Sequence, residues 1–193
     1  MAGYRRLRRS LNLDGYHEPN KNREIVISVL KWLMEIAIAC LLAFLVVGFV
    51  AQTLTVRGES LEETFHDGDV VLVNKILYRV QDPKQFDMVV FKGNNSEENH
   101  YFIKRIVAVP GDKVLIKDGV LLVNGKELKN FPAFSEIKTP GLAKEEIVLA
   151  EGEYFVMGDN CNNSEDSRVA SVGNIKRENL IGKVQMKLYH KKG

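Results

Sequence analysis

The sequence predicts a single N-terminal membrane-spanning helix followed by a mainly β domain, antiparallel and strand-rich with a small loop-rich insert. Two observations carry this. Ile36 to Ala51 is a sixteen-residue run without a charge. From Arg57 onward the apolar residues fall instead in short Val-, Ile-, Tyr- and Phe-rich runs broken by Gly, Asp and Asn, the composition of strands and turns.

The chain begins with a basic stretch. Residues 1–24 carry six basic side chains (Arg5, Arg6, Arg8, Arg9, Lys21, Arg23) against three acids (Asp14, Glu18, Glu24). The apolar run IAIACLLAFLVVGFVA follows, and extending it through QTLTV to Val56 gives 21 residues without a charge. As helix that is roughly 32 Å, enough to cross a hydrocarbon core of about 30 Å. Lys31 and Glu35 lie four apart just upstream beside Trp32, where they can pair at the membrane interface. A cleaved secretory signal is the rival reading, but Phe49 and Ala51 make a poor small-x-small cleavage site. The expected divisions are therefore a basic cytoplasmic N-terminus over 1–30, an anchor helix over 31–56 and an extracytoplasmic domain over 57–193. The clustered arginines put the N-terminus inside the cell and everything after Val56 outside.

The outer part contains the runs DVVLVNKI, DMVVFK, YFIKRIVAV, KVLIKDGVLLVNG, EIVLA, EYFVMG and IGKVQMKLY. Asp118-Gly119 and Asn124-Gly125 are placed as two-residue hairpin turns. Residues 128–146, LKNFPAFSEIKTPGLAKEE, lack alternation and hold two prolines, so they read as loop rather than core, within an insert over about 113–150.

Charge and composition exclude several functions. The part from Arg57 onward holds 20 basic and 21 acidic side chains, a net of −1, leaving no positive surplus for a phosphate backbone, so nucleic acid is not an expected partner. The two cysteines, Cys40 and Cys161, and the four histidines, His17, His66, His100 and His190, are scattered without metal-ligand spacing, so neither a metal nor another cofactor is expected.

Two residues have alternatives that residue chemistry alone leaves open. Lys104 stands in the otherwise apolar run YFIKRIVAV, where period-2 geometry puts Phe102, Lys104 and Ile106 on one face and Arg105 on the other. Such a lysine is either an edge residue reaching water or a functional amine whose charge is disfavoured by burial. Ser60, in VRGESLEETF, is either a solvated turn residue capped with Glu63 or a nucleophile.

Four segments in fixed order resemble type I signal peptidases. The nucleophile segment of that family, roughly G-x-S-M-x-P-T-L followed by G-D, is similar to Gly58–Phe65 (GESLEETF) and Gly68-Asp69. Phe86–Phe91 (FDMVVF) resembles the next strand, Lys104–Asp112 (KRIVAVPGD) the lysine segment, and Gly158–Arg168 (GDNCNNSEDSR) the last, which Gly158 opens. The resemblance spans the anchor and nearly all of the outer part. It implies Ser60 as nucleophile and Lys104 as general base. It further implies Ser164 as the hydroxyl orienting the amine, Asp166 and Arg168 as a pair shaping the last loop, and the Ser60 N–H as an oxyanion donor. Leu61, Glu63 and Phe65 stand where Met, Pro and Leu are usual, Cys161 replaces an arginine, and Gly58 offers no hydroxyl as a second oxyanion donor. The implied function is a membrane-bound serine endopeptidase that removes signal peptides from secretory preproteins after small residues at −3 and −1, with apolar surface near Phe65 resting on membrane lipid. The alternative is a catalytically silent relative that assembles surface proteins or pili.

Overall fold

The computed structural model describes residues 21–62, 64–93, 101–129, 131 and 136–190. The N-terminal arginine cluster, His17, His100 and Glu63 lie outside these. The chain divides into two compact units between Val47 and Gly48.

The first unit is helical. Helix α1 runs Lys21–Val50, about 45 Å at 1.5 Å per residue. Its large apolar side chains face outward, Trp32 at 69% and Phe44 at 75% exposure, so it is long and apolar enough to cross a membrane. The expected span of 31–56 differs at both ends. The helix starts earlier, and Ala51–Thr55 is strand β1 instead. Exposed Thr53 and Thr55 alternate with Leu54 and Val56, and β1 pairs antiparallel with β2 along its whole length, Ala51 opposite Asn74 and Thr55 opposite Val70. Absence of charge alone does not separate a helix end from a strand start.

The second unit is the antiparallel β domain that the strand runs predict. After β2 (Asp69–Asn74) and a short helix α2 (Leu77–Val80) come β3 (Met88–Lys92), β4 (Tyr101–Ala108), β5 (Lys113–Lys117), β6 (Val120–Val123), β7 (Lys126–Glu127), β8 (Ile147–Val148), β9 (Glu153–Met157), β10 (Ile175–Lys176) and β11 (Leu180–His190). Seven strands form one sheet in the order β1-β2-β11-β3-β4-β9-β10, and four form another, β7-β6-β5-β8. The large sheet buries both faces. Val89 and Phe91 of β3 join Ile106 and Phe102 of β4 in one cluster, while Met88 and Val90 turn to the other side with Leu61, Val71 and Val73. That alternation is the period of two expected of a strand.

The two hairpin turns fall where Asp-Gly and Asn-Gly place them. Asp118 and Gly119 have φ of 51° and 74°, Asn124 and Gly125 of 54° and 73°, the left-handed pair of a type I′ turn. Residues 128–146 are corrected in one respect. Their described residues include one 3-10 turn, Gly141–Lys144, and Ile137 and Ala143 are buried in the core of the small sheet, with Leu128 and Phe131 packed against it. Isolated apolar residues in a non-repeating segment leave no periodic trace, so their burial is invisible to pattern reading.

Candidate active site

Lys104 sits in the middle of β4, opposite Val89 of β3. On the other side β9 begins to pair only at Arg105, opposite Met157, so residues 101–104 keep a strand edge open among the described residues. The lysine is 4% exposed, and its Nζ donates to Ser164 Oγ at 3.0 Å. Burial pushes the amine down to about 8, against the opposing pull of the Asp166, Glu165 and Asp159 carboxylates and with the help of Arg168. A buried amine has lost water that would stabilise its charged form.

Ser60 lies in the loop between β1 and β2. Val56 N–H donates to Asp69 O and Gly68 N–H to Val56 O, closing the loop at its base. Asp69, fully buried, ties that closure to β11. Lys187 Nζ lies 2.7 Å from its carboxylate, His190 Nδ1 2.9 Å, and the His66 N–H donates to it at 2.9 Å. Burial alone would raise the Asp69 pKa, but these partners together hold it well below the usual carboxylate range.

The loop opening at Gly158 meets the serine loop. Asn160 N–H donates to Ser60 O at 3.1 Å, Asn160 Nδ2 to Glu59 O at 3.1 Å, and Asn163 Nδ2 to Glu59 Oε2 at 2.9 Å. A methyl group on Gly158 would lie 2.3 Å from Ser164 Oγ and 2.5 Å from Ser60 O. Glycine at 158 thus lets the backbones carrying Ser60 and Ser164 close on the same point. Ser60, Leu61, Lys104 and Arg57 share one cleft of about 390 Å³ with Thr53–Val56 and Tyr101–Ile103.

Asp166 and Arg168 form a buried ion pair. Arg168 Nε and Nη2 each reach an Asp166 oxygen at 2.8 Å, Nη1 donates to Thr139 O at 3.1 Å, and Nη2 also donates to Cys161 O. Asp166 in turn accepts the Gly158 N–H at 3.2 Å. Cys161 is buried in the small sheet's core, so its side chain fills space there. Leu61 is 1% exposed among apolar neighbours, where leucine for methionine is a volume-conserving exchange. Phe65 packs half-buried against that cluster, which limits the apolar surface it can offer to lipid.

Sequence reasoning missed a second pair. Arg105, on the face of β4 opposite Lys104, makes a bidentate bond to Asp159, Nε to Oδ1 at 2.8 Å and Nη2 to Oδ2 at 2.7 Å. Asp159 is 1% exposed and also accepts the Thr64 hydroxyl, so it fastens the serine loop to β4. Both residues were within quoted segments, Arg105 beside Lys104 and Asp159 beside Gly158. Their opposite charges were visible, but their pairing across 54 residues was not.

The family profile described as signal peptidase, peptidase S26, matches residues 29–189. Signal peptidase IB of Staphylococcus aureus strain COL is 32% identical over 176 residues, covering 83% of this chain and 90% of that protein. Signal peptidase I of Bacillus licheniformis is 35% identical over 166 residues, covering 82% and 87%. A crystal structure of a signal peptidase I from Enterococcus faecalis V583 covers 55% of this chain and 99% of its own at 26% identity, with a TM-score of 0.44. With four motif segments in order, a β domain behind an apolar helix and a profile match over most of its length, the chain belongs to the type I signal peptidases of family S26 and is a peptidase.

Proposed function

We propose that this chain cuts signal peptides from exported preproteins with Ser60 as nucleophile and Lys104 as general base. The observation that carries the reading is the buried Lys104 amine, held 3.0 Å from Ser164 Oγ, in the cleft that also contains Ser60. An amine pushed down to about 8 is partly neutral near physiological pH and can accept a proton. Ser164 orients that amine toward the nucleophile.

The substrate enters as an extended segment. β1 is the end strand of the large sheet and residues 101–104 of β4 keep an open edge, so a peptide between them adds as a strand and presents alternate side chains to the cleft. Small residues at −1 and −3 fit the side lined by Val56, Leu61 and Ile103. Ser60 Oγ attacks the carbonyl carbon of residue −1 while its proton passes to Lys104 Nζ. The oxyanion receives the Ser60 N–H. As the C–N bond breaks, the Lys104 ammonium returns that proton to the leaving amine. A water then gives a proton to the neutral lysine and attacks the acyl-serine; as the acyl C–O bond breaks the lysine ammonium passes that proton to Ser60 Oγ, releasing the signal peptide's carboxyl end and regenerating both Ser60 and the neutral amine.

Helix α1 anchors the protein as a single span, with the N-terminus in the cytoplasm and the β domain outside, and shares the bilayer with the substrate's own signal helix. Two partners confined to one membrane meet at a raised effective concentration. The test is cleavage of a preprotein with an Ala-x-Ala site by the full chain in detergent, beside Ser60→Ala and Lys104→Ala. Cleavage by the parent alone supports the dyad. Binding without cleavage by any of the three turns the reading to a silent assembly factor.

A further inference from the structure

The cleft carries an unbalanced charge. Among the described residues Arg57 and Lys104 are its only charged lining residues, and no carboxylate lines it. Lys104 is buried, whereas Arg57 is exposed. Two acids of the same loop have other partners, Glu59 accepting from Asn163 Nδ2 and Asp67 from the Gly58 N–H.

The position of Arg57 follows from the strand. The β1–β2 ladder continues one residue past Thr55 through the Val56 N–H to Asp69 O bond, so alternation holds to the end. Leu54 and Val56 turn inward to the core cluster, while Thr53, Thr55 and Arg57 are exposed. A peptide lying along β1 alternates with the same period. If −1 and −3 turn inward, −2 and −4 share the outward side. Of the outward row on β1, Arg57 is nearest Ser60 in the chain, so it faces −2, and Thr55 faces −4.

We propose that Arg57 is a specificity-determining residue that favours acidic and disfavours basic side chains at the −2 position of the substrate. This rests on Ser60 as the nucleophile and on the substrate lying along β1. The interaction is between exposed charges, so it is modest and weakened by salt.

The experiment uses fluorescent peptides carrying the Ala-x-Ala site that differ only in Asp, Gln or Lys at −2. They are read for cleavage by the full chain and for binding to Ser60→Ala protein, each with Arg57, Arg57→Lys, Arg57→Gln and Arg57→Glu. At low salt, Asp is expected to exceed Lys by about three- to tenfold in kcat/KM and in affinity. The preference should persist in Arg57→Lys, vanish in Arg57→Gln, reverse in Arg57→Glu and shrink at 0.5 M salt. A −2 preference that ignores the charge at 57 overturns the proposal. Charge-dependent binding to the Ser60→Ala protein without cleavage by the parent upholds it while the catalytic reading fails.

Discussion

Lys104 and Ser60 are held by different kinds of structure. The lysine is fixed by the sheet. It sits inside β4, is buried, and takes its perturbed amine from the apolar surroundings its strand provides. The serine has no strand of its own. Its loop is held by polar bonds from three directions: Asn160 to the backbone at 59 and 60, Asp159 to Thr64, and Asp69 with β11 at the base. A base that must lose its charge needs burial, which a sheet interior supplies. A nucleophile that must meet a peptide needs exposure, and an exposed loop is held still mainly by hydrogen bonds.

The largest effect comes from the buried side. Lys104→Met should lower kcat/KM by roughly 10³-fold or more, since it removes the proposed general base. It should also stabilise the fold. The folded protein releases the lysine proton near 8, while the unfolded chain holds it to its ordinary 10.5. Between those values the unfolded state binds more protons, so the parent's stability rises with pH there, and the penalty is fully present below 8. At pH 7 a thermal melt should find Lys104→Met more stable by on the order of 2 kcal/mol, with the gap closing as pH rises through that window. Parent kcat/KM should climb about tenfold per pH unit below 8 and level off above it. An acid limb near 6.5 would point to a different base.

Next is the pair that joins the two regions. Asp159→Ala leaves the Arg105 guanidinium without its carboxylate and the Thr64 hydroxyl without that acceptor, so urea unfolding should lose about 3–5 kcal/mol, with cleavage reduced even where the protein is folded. Unchanged stability would mean that the serine loop does not depend on β4. Asn160→Ala removes only the side-chain bond to Glu59 O and keeps the backbone bond to Ser60 O. It should cost about 1 kcal/mol of stability but roughly ten- to a hundredfold in kcat, because aim rather than folding is lost. A change in KM alone would contradict that role.

The smallest effect is expected in the small sheet, which holds none of the site residues. Gly119→Ala places a side chain at φ 74° and presses on the Glu136 side chain from Cγ outward. It should cost about 1 kcal/mol and leave kcat/KM unchanged. Slower cleavage by this variant would show that the small sheet reaches the site after all.

The catalytic candidates were legible because their motif segments are compact in sequence. Residue chemistry alone left Lys104 and Ser60 open, and it was the resemblance of four ordered segments, GDNCNNSEDSR among them, that singled them out. The end of α1 was not legible, since residues 36–56 are uncharged whether helical or extended, and only the pairing of β1 with β2 separates the two. The burial of Ile137 and Ala143 was hidden for lack of period.

By itself the sequence determined the apolar helix, the strand periodicity and the two type I′ turns, because these depend on neighbours within a few residues, and its ordered motif segments supplied the proposed reactive side chains. The tertiary structure alone decided that Gly158 lies where Ser60 and Ser164 converge, that Asp159 serves Arg105 and Thr64 together, and that β11 reaches back to Asp69. Those contacts join residues up to 121 positions apart. Local propensity carries no information on such pairs, and only closing the sheet brings their charges and hydrogen-bonding groups into contact.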